Sequence, residues 1–224
     1  MKTNGLLISI EGIDGSGKST LAKLLCTQLE RQYSVLLTKE PGDSGLGKSI
    51  RSIVQNQNVP ICAKAEFLLF AADRAQHFNE KVIPALQQNK IVISDRMADS
   101  SVVYQGVARG IDIDFINTVN AWAMCNYTPD VTIFVNTDPK IARERLIIRN
   151  ETLTTFEKEH EQFMQHVHNG FCTLFNNRKD VIIVNGIYDK QTILQEALSA
   201  LTPWLSLYEK RHITTGTTVD RYTR

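Results

Sequence analysis

The octapeptide Gly12-Ile13-Asp14-Gly15-Ser16-Gly17-Lys18-Ser19 follows the apolar run at residues 6–10 and leads into a helix-compatible stretch at 20–31. Strand, glycine-rich loop and helix in that order are the setting of a phosphate-binding loop. Glycine lets the backbone curl until successive N–H groups converge on an anion, and the following helix adds its positive end. On this reading Gly12, Asp14, Gly15, Ser16, Gly17, Lys18, Ser19 and Thr20 form a triphosphate site. Lys18 reaches the outer phosphates of a nucleotide such as ATP, and the Ser19 hydroxyl meets Mg²⁺.

The remaining strand candidates are 34–39, 90–94, 131–135 and 181–184, each rich in Val, Ile and Leu on successive positions. Continuous apolarity predicts strands buried on both faces, as in a parallel sheet. Amphipathic stretches at 19–31, 47–55, 63–88, 97–109, 113–125, 139–149, 157–177 and 190–208 alternate with them. The expected fold is therefore α/β: a P-loop NTPase fold with a five-stranded parallel sheet, helices on both faces and ligands at the carboxyl edge of the strands.

At 224 residues the chain suits one domain, taken as 1–208, followed by a polar, frayed tail at 209–224. Twenty-five basic against 24 acidic residues leave a net charge of +1, which gives no global attraction for nucleic acid or an anionic membrane. Cys26, Cys62, Cys125 and Cys172 are far apart and read as reduced, mostly buried thiols. No run has a signal-peptide pattern or the ~20 apolar residues needed to span a bilayer, so the expected location is the cytoplasm. His160, His166 and His168 share no helical face and read as surface histidines rather than a zinc site.

Downstream of the loop come Glu40-Pro41-Gly42, Arg51, the stretch 68–77 holding Phe70 and Arg74, Asp95-Arg96 at a strand end, and the stretch 100–110 holding Ser101, Tyr104 and Gln105. Phe70 and Arg74 are four apart, hence on one helical face: an aromatic surface for a base beside a fork for a phosphate. Asp95 ends a strand where an acid can hold a metal through water. Ser101, Tyr104 and Gln105 share a face, and a side-chain amide presents both a donor and an acceptor edge.

These elements resemble the bacterial thymidylate kinase family over roughly residues 5–200. The resemblance implies transfer of the γ-phosphoryl group of ATP to dTMP, giving dTDP and ADP, in a homodimer. It implies Mg²⁺ held near Ser19 and Asp95, and an acceptor site built from Asp14, Glu40, Arg51, Phe70, Arg74, Arg96, Ser101, Tyr104 and Gln105. Asp14 would contact the acceptor nucleotide through its sugar hydroxyl, Tyr104 would disfavour a 2′-hydroxyl, and Arg51, Arg74 and Arg96 would clamp its phosphate. Lys18, Asp95 and Arg96 carry the chemistry on this reading.

The resemblance departs in the lid, about residues 143–157, where the family's arginine is replaced by Thr155. No basic residue among Ile13, Asp14, Gly15 and Ser16 stands in for it. Arg149 at the helix-to-lid junction becomes the candidate for the electrophilic role, with Arg145 second. Kinases for other nucleoside monophosphates share this loop, and the altered lid also fits a catalytically weak nucleotide-binding protein. A dUMP acceptor should be used less well than dTMP, and dCMP should be rejected more strongly.

Overall fold

The computed structural model describes residues 3–55, 60–149, 154 and 156–214. Its strands are β1 (Leu6–Glu11), β2 (Val35–Lys39), β3 (Ile91–Asp95), β4 (Val131–Asn136) and β5 (Val181–Asn185). They pair in parallel in the order β2-β3-β1-β4-β5. The α/β fold with a five-stranded parallel sheet is the expected one. β1 lies at the centre, and Ile10 and Lys39 both register with Asp95, so the carboxyl ends of β1, β2 and β3 open side by side.

Both sheet faces are covered, as continuous apolarity requires. Leu6, Ile8 and Ile10 of β1 point with Ile91, Ile93, Val131 and Ile133 into a core closed by α1 (Lys18–Leu29) and α9 (Lys190–Thr214). On the opposite face Leu7 and Val92 meet Phe78, Val82 and Leu86, while Phe134 packs with Phe171 and Phe175 of α8 (Glu161–Phe175). The other helices are α2 (Gly45–Gln55), α3 (Ala63–His77), α4 (Ile83–Gln87), α5 (Ala98–Ser101), α6 (Ile113–Ala123) and α7 (Pro139–Ile148).

Two expected helices change pitch. The stretch 63–88 is α3 and α4 separated by a π-helical segment, Phe78–Val82, and the stretch 97–109 is α5 followed by a π-helical segment, Val102–Ala108. A π turn holds an extra residue per hydrogen-bonded ring, a feature that apolar spacing does not encode and that recurs at functional sites. The region 157–177 likewise begins with a short 3₁₀ turn, Phe156–Lys158, before α8.

The last helix runs past Tyr208 to Thr214, so the expected polar tail is helical over its first residues, while 215–224 lie outside the described residues. Its continuation is anchored. The Tyr33 hydroxyl donates to Glu209 (2.9 Å), and Arg211 donates to the Gly5 carbonyl (3.3 Å) and to Asp130 (3.2 Å). Of the four cysteines only Cys26 is buried, whereas Cys62 and Cys125 are exposed and Cys172 is half-buried. Among the described residues no helix is long and apolar enough to cross a membrane.

Candidate active site

The loop after β1 curls through left-handed backbone at Gly12 (φ 152°), Gly15 (φ 83°) and Gly17 (φ 99°), the last of these capping α1. Close packing adds to the requirement: a Cβ on Gly12 would stand 2.9 Å from the Val135 carbonyl, and one on Gly15 would collide with the backbone of Ala142 in α7. The P-loop is thereby pressed against the helix that leads to the lid. Ser19 and Thr20 are exposed in the first turn of α1, and Thr20 turns its N–H inward onto the Gly17 carbonyl (3.1 Å). Lys18 folds back over the loop, donating to the Ile13 carbonyl (3.3 Å) and to Asp14 (3.1 Å).

Asp95, at the end of β3, accepts from the Ser19 hydroxyl (2.5 Å) through Oδ2, while its Oδ1 is buried with no partner. An orphaned carboxylate oxygen costs free energy unless something else satisfies it. Together with the Ser19 hydroxyl it offers hard oxygen donors of the kind Mg²⁺ prefers, and water and phosphate oxygens would complete the set. Among the described residues no cluster of three or more His, Cys, Asp or Glu side chains could hold a metal unaided.

Arg96 is held in left-handed backbone (φ 73°), a conformation that costs a non-glycine residue ~1–3 kcal/mol. Three contacts secure it. Its N–H donates to the Ile10 carbonyl (2.9 Å), its carbonyl accepts from Ser94 (2.7 Å), and the following N–H, of Met97, donates to Glu11 (2.7 Å). The guanidinium then spans Ser100 (2.9 Å), Asp14 (2.7 Å) and the Tyr104 hydroxyl (3.3 Å). Burial works to raise the pKa of Asp14, but the charges of Arg96 and Lys18 outweigh it and hold the carboxyl well below the usual range. Burial pushes the Tyr104 phenol upward, so it stays a neutral hydroxyl.

Arg74 differs from expectation. It is 2% exposed, and its guanidinium is already bound to Glu40 (2.8 Å), Ser101 (3.1 Å), Asn120 (2.6 Å) and the Met97 carbonyl (3.1 Å). The anticipated fork for a phosphate is therefore already occupied by protein partners, although Arg74 borders the cleft. Glu40 also meets His77 (2.9 Å); burial would raise its pKa, but Arg74 and His77 bring it below the ordinary value. Arg51 instead reaches the cleft from α2, donating to the Pro41 carbonyl (2.9 Å).

One cleft of about 790 Å³ is lined by Asp14, Gly15, Gly17, Lys18, Ser19 and Thr20 on one side and by Glu40, Arg51, Phe70, Arg74, Arg96, Ser101, Tyr104 and Gln105 on the other. Asp95, Arg145 and Arg149 line it too. Of the expected site residues, Gly12 and Ser16 alone do not border it: they shape the loop from beneath. The Phe70 ring meets Phe156 at 5.8 Å, and Phe156 meets Tyr104 at 6.2 Å, which closes an aromatic wall. Arg145 donates to the Ser16 carbonyl (3.3 Å) on the P-loop, and Arg149 pairs with Glu157 (3.0 Å). The altered lid position, Thr155, lies outside the described residues. His168 is not a surface histidine but half-buried, 2.8 Å from the Asn136 side chain.

Several participants escaped the sequence reading. Glu11 is fully buried, with its carboxylate accepting from Ser9 (3.2 Å), Met97 N–H (2.7 Å) and Ser100 (2.6 Å). Burial, reinforced by Asp99, pushes its pKa up to about 7. Asp73 accepts from Gly42 N–H (3.1 Å) and keeps Oδ2 without a partner; burial and the nearby Glu40 raise it to about 6. An acid closing an apolar strand was the one available signal for Glu11. Nothing in the spacing marked Asp73 apart from Arg74.

Residues 10–196 match the family described as thymidylate kinase. The chain belongs to the thymidylate kinase family. It is 40% identical over 182 residues to the thymidylate kinase of Halothermothrix orenii, covering 80% of this chain and 88% of that one. With the thymidylate kinase of Mycoplasma capricolum it shares 38% identity over 210 residues, or 92% of this chain and 99% of the relative. The crystal structure of thymidylate kinase from Ehrlichia chaffeensis superposes with a TM-score of 0.72 at 29% identity, over 88% of this chain and 98% of that one. Membership thus extends across the P-loop, the cleft and the helices that frame them.

Proposed function

We propose that this chain is a dTMP kinase, transferring the γ-phosphoryl group of ATP to the phosphate of dTMP to give dTDP and ADP. The observation that carries the reading is a single cleft lined by a P-loop at one end and by Arg51, Arg96, Phe70, Tyr104 and Gln105 at the other. Two nucleotides can meet there end to end. A nucleoside monophosphate has a second pKa near ~6, so at neutral pH its phosphate is mostly a dianion and already a nucleophile. Positioning and charge neutralisation then dominate over proton abstraction.

Lys18 and the loop N–H groups gather the donor phosphates, and Lys18 exchanges its contacts with Ile13 and Asp14 for them. Arg51 and Arg96 take the acceptor phosphate, with Asp14 aligning the Arg96 fork. Ser19 and Asp95 are the residues that would hold Mg²⁺, which when bound neutralises charge on the donor phosphates. Arg149 leaves Glu157 to stabilise charge on the moving phosphoryl group, and Arg145 steadies the loop through Ser16. Phe70 stacks on the base beside Tyr104 and Gln105. The exposed Leu68, Phe115 and Trp122 on the neighbouring helices α3 and α6 suit a homodimer, and the enzyme works among the soluble nucleotides of the cytoplasm.

Coupled ADP release with ATP, Mg²⁺ and a panel of monophosphates tests the proposal. Wild-type protein should form dTDP with dTMP preferred, Lys18→Ala should lose at least ~100-fold in kcat, and Arg149→Ala should lower kcat far more than it raises KM. Absence of dTDP would overturn the function. An unchanged kcat in Arg149→Ala would move the electrophilic role to another residue.

A further inference from the structure

Gln105 is 2% exposed and lines the cleft, yet its amide nitrogen donates to Glu66 Oε1 (2.9 Å). Glu66 is itself 2% exposed, does not border the cleft, and takes a second donor at the same oxygen, the Nε of Arg109 (2.8 Å). Arg109 is secured in turn. Its Nη2 donates to Glu159 (2.7 Å), beyond the short turn Phe156–Lys158, and its guanidinium lies 4.8 Å from the centre of the Phe163 ring.

A side-chain amide can be rotated by 180° to exchange its donor and acceptor edges, and in an open pocket it would present whichever edge a base required. An ionised carboxylate accepts hydrogen bonds and donates none. With Arg109 beside it, Glu66 leaves Gln105 one workable orientation: nitrogen to Glu66, carbonyl oxygen to the cleft. Among the described residues no group donates to that oxygen.

We infer that Glu66 is a specificity-determining positioning residue, fixing the Gln105 amide so that the cleft offers an acceptor to the ring N–H of thymine or uracil. The inference rests on the proposed acceptor site and deepens it. Cytosine brings an acceptor at the same ring position, so the fixed amide leaves two acceptors face to face without a proton. The restraint is remote from the transferring phosphate. It acts on the choice of base and not on the chemical step.

The test is Glu66→Gln, which keeps the volume but lets the partner amide donate as well as accept, so that Gln105 can turn over. Measured as kcat/KM, the preference for dTMP over dCMP should fall at least tenfold. The preference for dTMP over dUMP and the KM for ATP should stay within about twofold, because the methyl pocket and the donor site are untouched. In a Gln105→Leu background the same substitution should change the ratio no further, which marks an effect transmitted through Gln105. An unchanged dTMP:dCMP ratio in Glu66→Gln, or an equal loss on all three acceptors, would overturn the inference. A wild-type enzyme that does not prefer dTMP to dCMP would instead sink the underlying reading of the acceptor pocket. Should Glu66→Gln not fold, wild-type protein decides: the Gln105 side-chain NH₂ in ¹⁵N-labelled enzyme should exchange slowly with solvent, and rapid exchange refutes the restraint.

Discussion

At the scale of single residues, the site is organised by buried acids that the expected mechanism did not use. Glu11 joins the P-loop strand to the Arg96 segment through Met97 and Ser100. With its pKa raised from 4.5 to about 7, the folded protein keeps a proton there that the unfolded chain has already released. The unfolded state therefore binds fewer protons between those pH values, and stability falls as pH rises across them. The contribution is fully present below ~4.5 and lost through ~7, by an amount on the order of 3 kcal/mol. Glu11→Gln carries no such loss. The melting temperature of the variant, taken relative to wild type, should climb steadily from pH 5 to pH 7.5, and a flat difference would show that Glu11 is ionised throughout.

At the scale of elements, the departures from simple periodicity fall where function gathers. The π-helical segment Val102–Ala108 carries Tyr104 and Gln105, and its pitch lets Gln105 reach Glu66 while Tyr104 meets Arg96. Strand and helix existence followed from residue type because burial on two faces demands long apolar runs. A change of helical pitch did not, because α and π turns accept the same side chains and differ in what packs against them. The extension of α9 is a second instance. A polar stretch remains helical when neighbours supply partners, here Tyr33, Gly5 and Asp130. Deleting residues 209–224 should cost ~1–2 kcal/mol and lower the melting temperature by about 2–8 °C with kcat unchanged, since none of these contacts borders the cleft. A drop in kcat would tie the helix end to catalysis.

At the scale of the whole molecule, the order β2-β3-β1-β4-β5 brings the P-loop, Glu40 and Asp95-Arg96 to one edge, although they come from separate parts of the chain. Two anionic ligands in one cleft should each stabilise the fold in proportion to occupancy. At ~100 times its Kd each contributes about 2.7 kcal/mol, or roughly 5–11 °C in melting temperature for a chain of this size. Thermal scans with dTMP and with a non-hydrolysable ATP analogue should show both shifts, and Lys18→Ala should lose the second while keeping the first. Loss of both shifts would mean the two sites are not separable as described.

The P-loop, the strand-end acid Asp95, the arginines Arg51 and Arg96 and the cleft-lining Phe70, Tyr104 and Gln105 were all readable as residue types at telling positions. Their chemistry is local: glycine curls a loop and a strand end faces the sheet edge whatever else surrounds them. What the side chains do with their donors was decided in three dimensions. Arg74 looked like a phosphate fork until Glu40, Ser101, Asn120 and Met97 converged on it, and Gln105 looked like a two-sided reader until Glu66 took one side. Hydrogen bonds form between groups that folding brings within about 3 Å, and those partners come from residues far away in the chain.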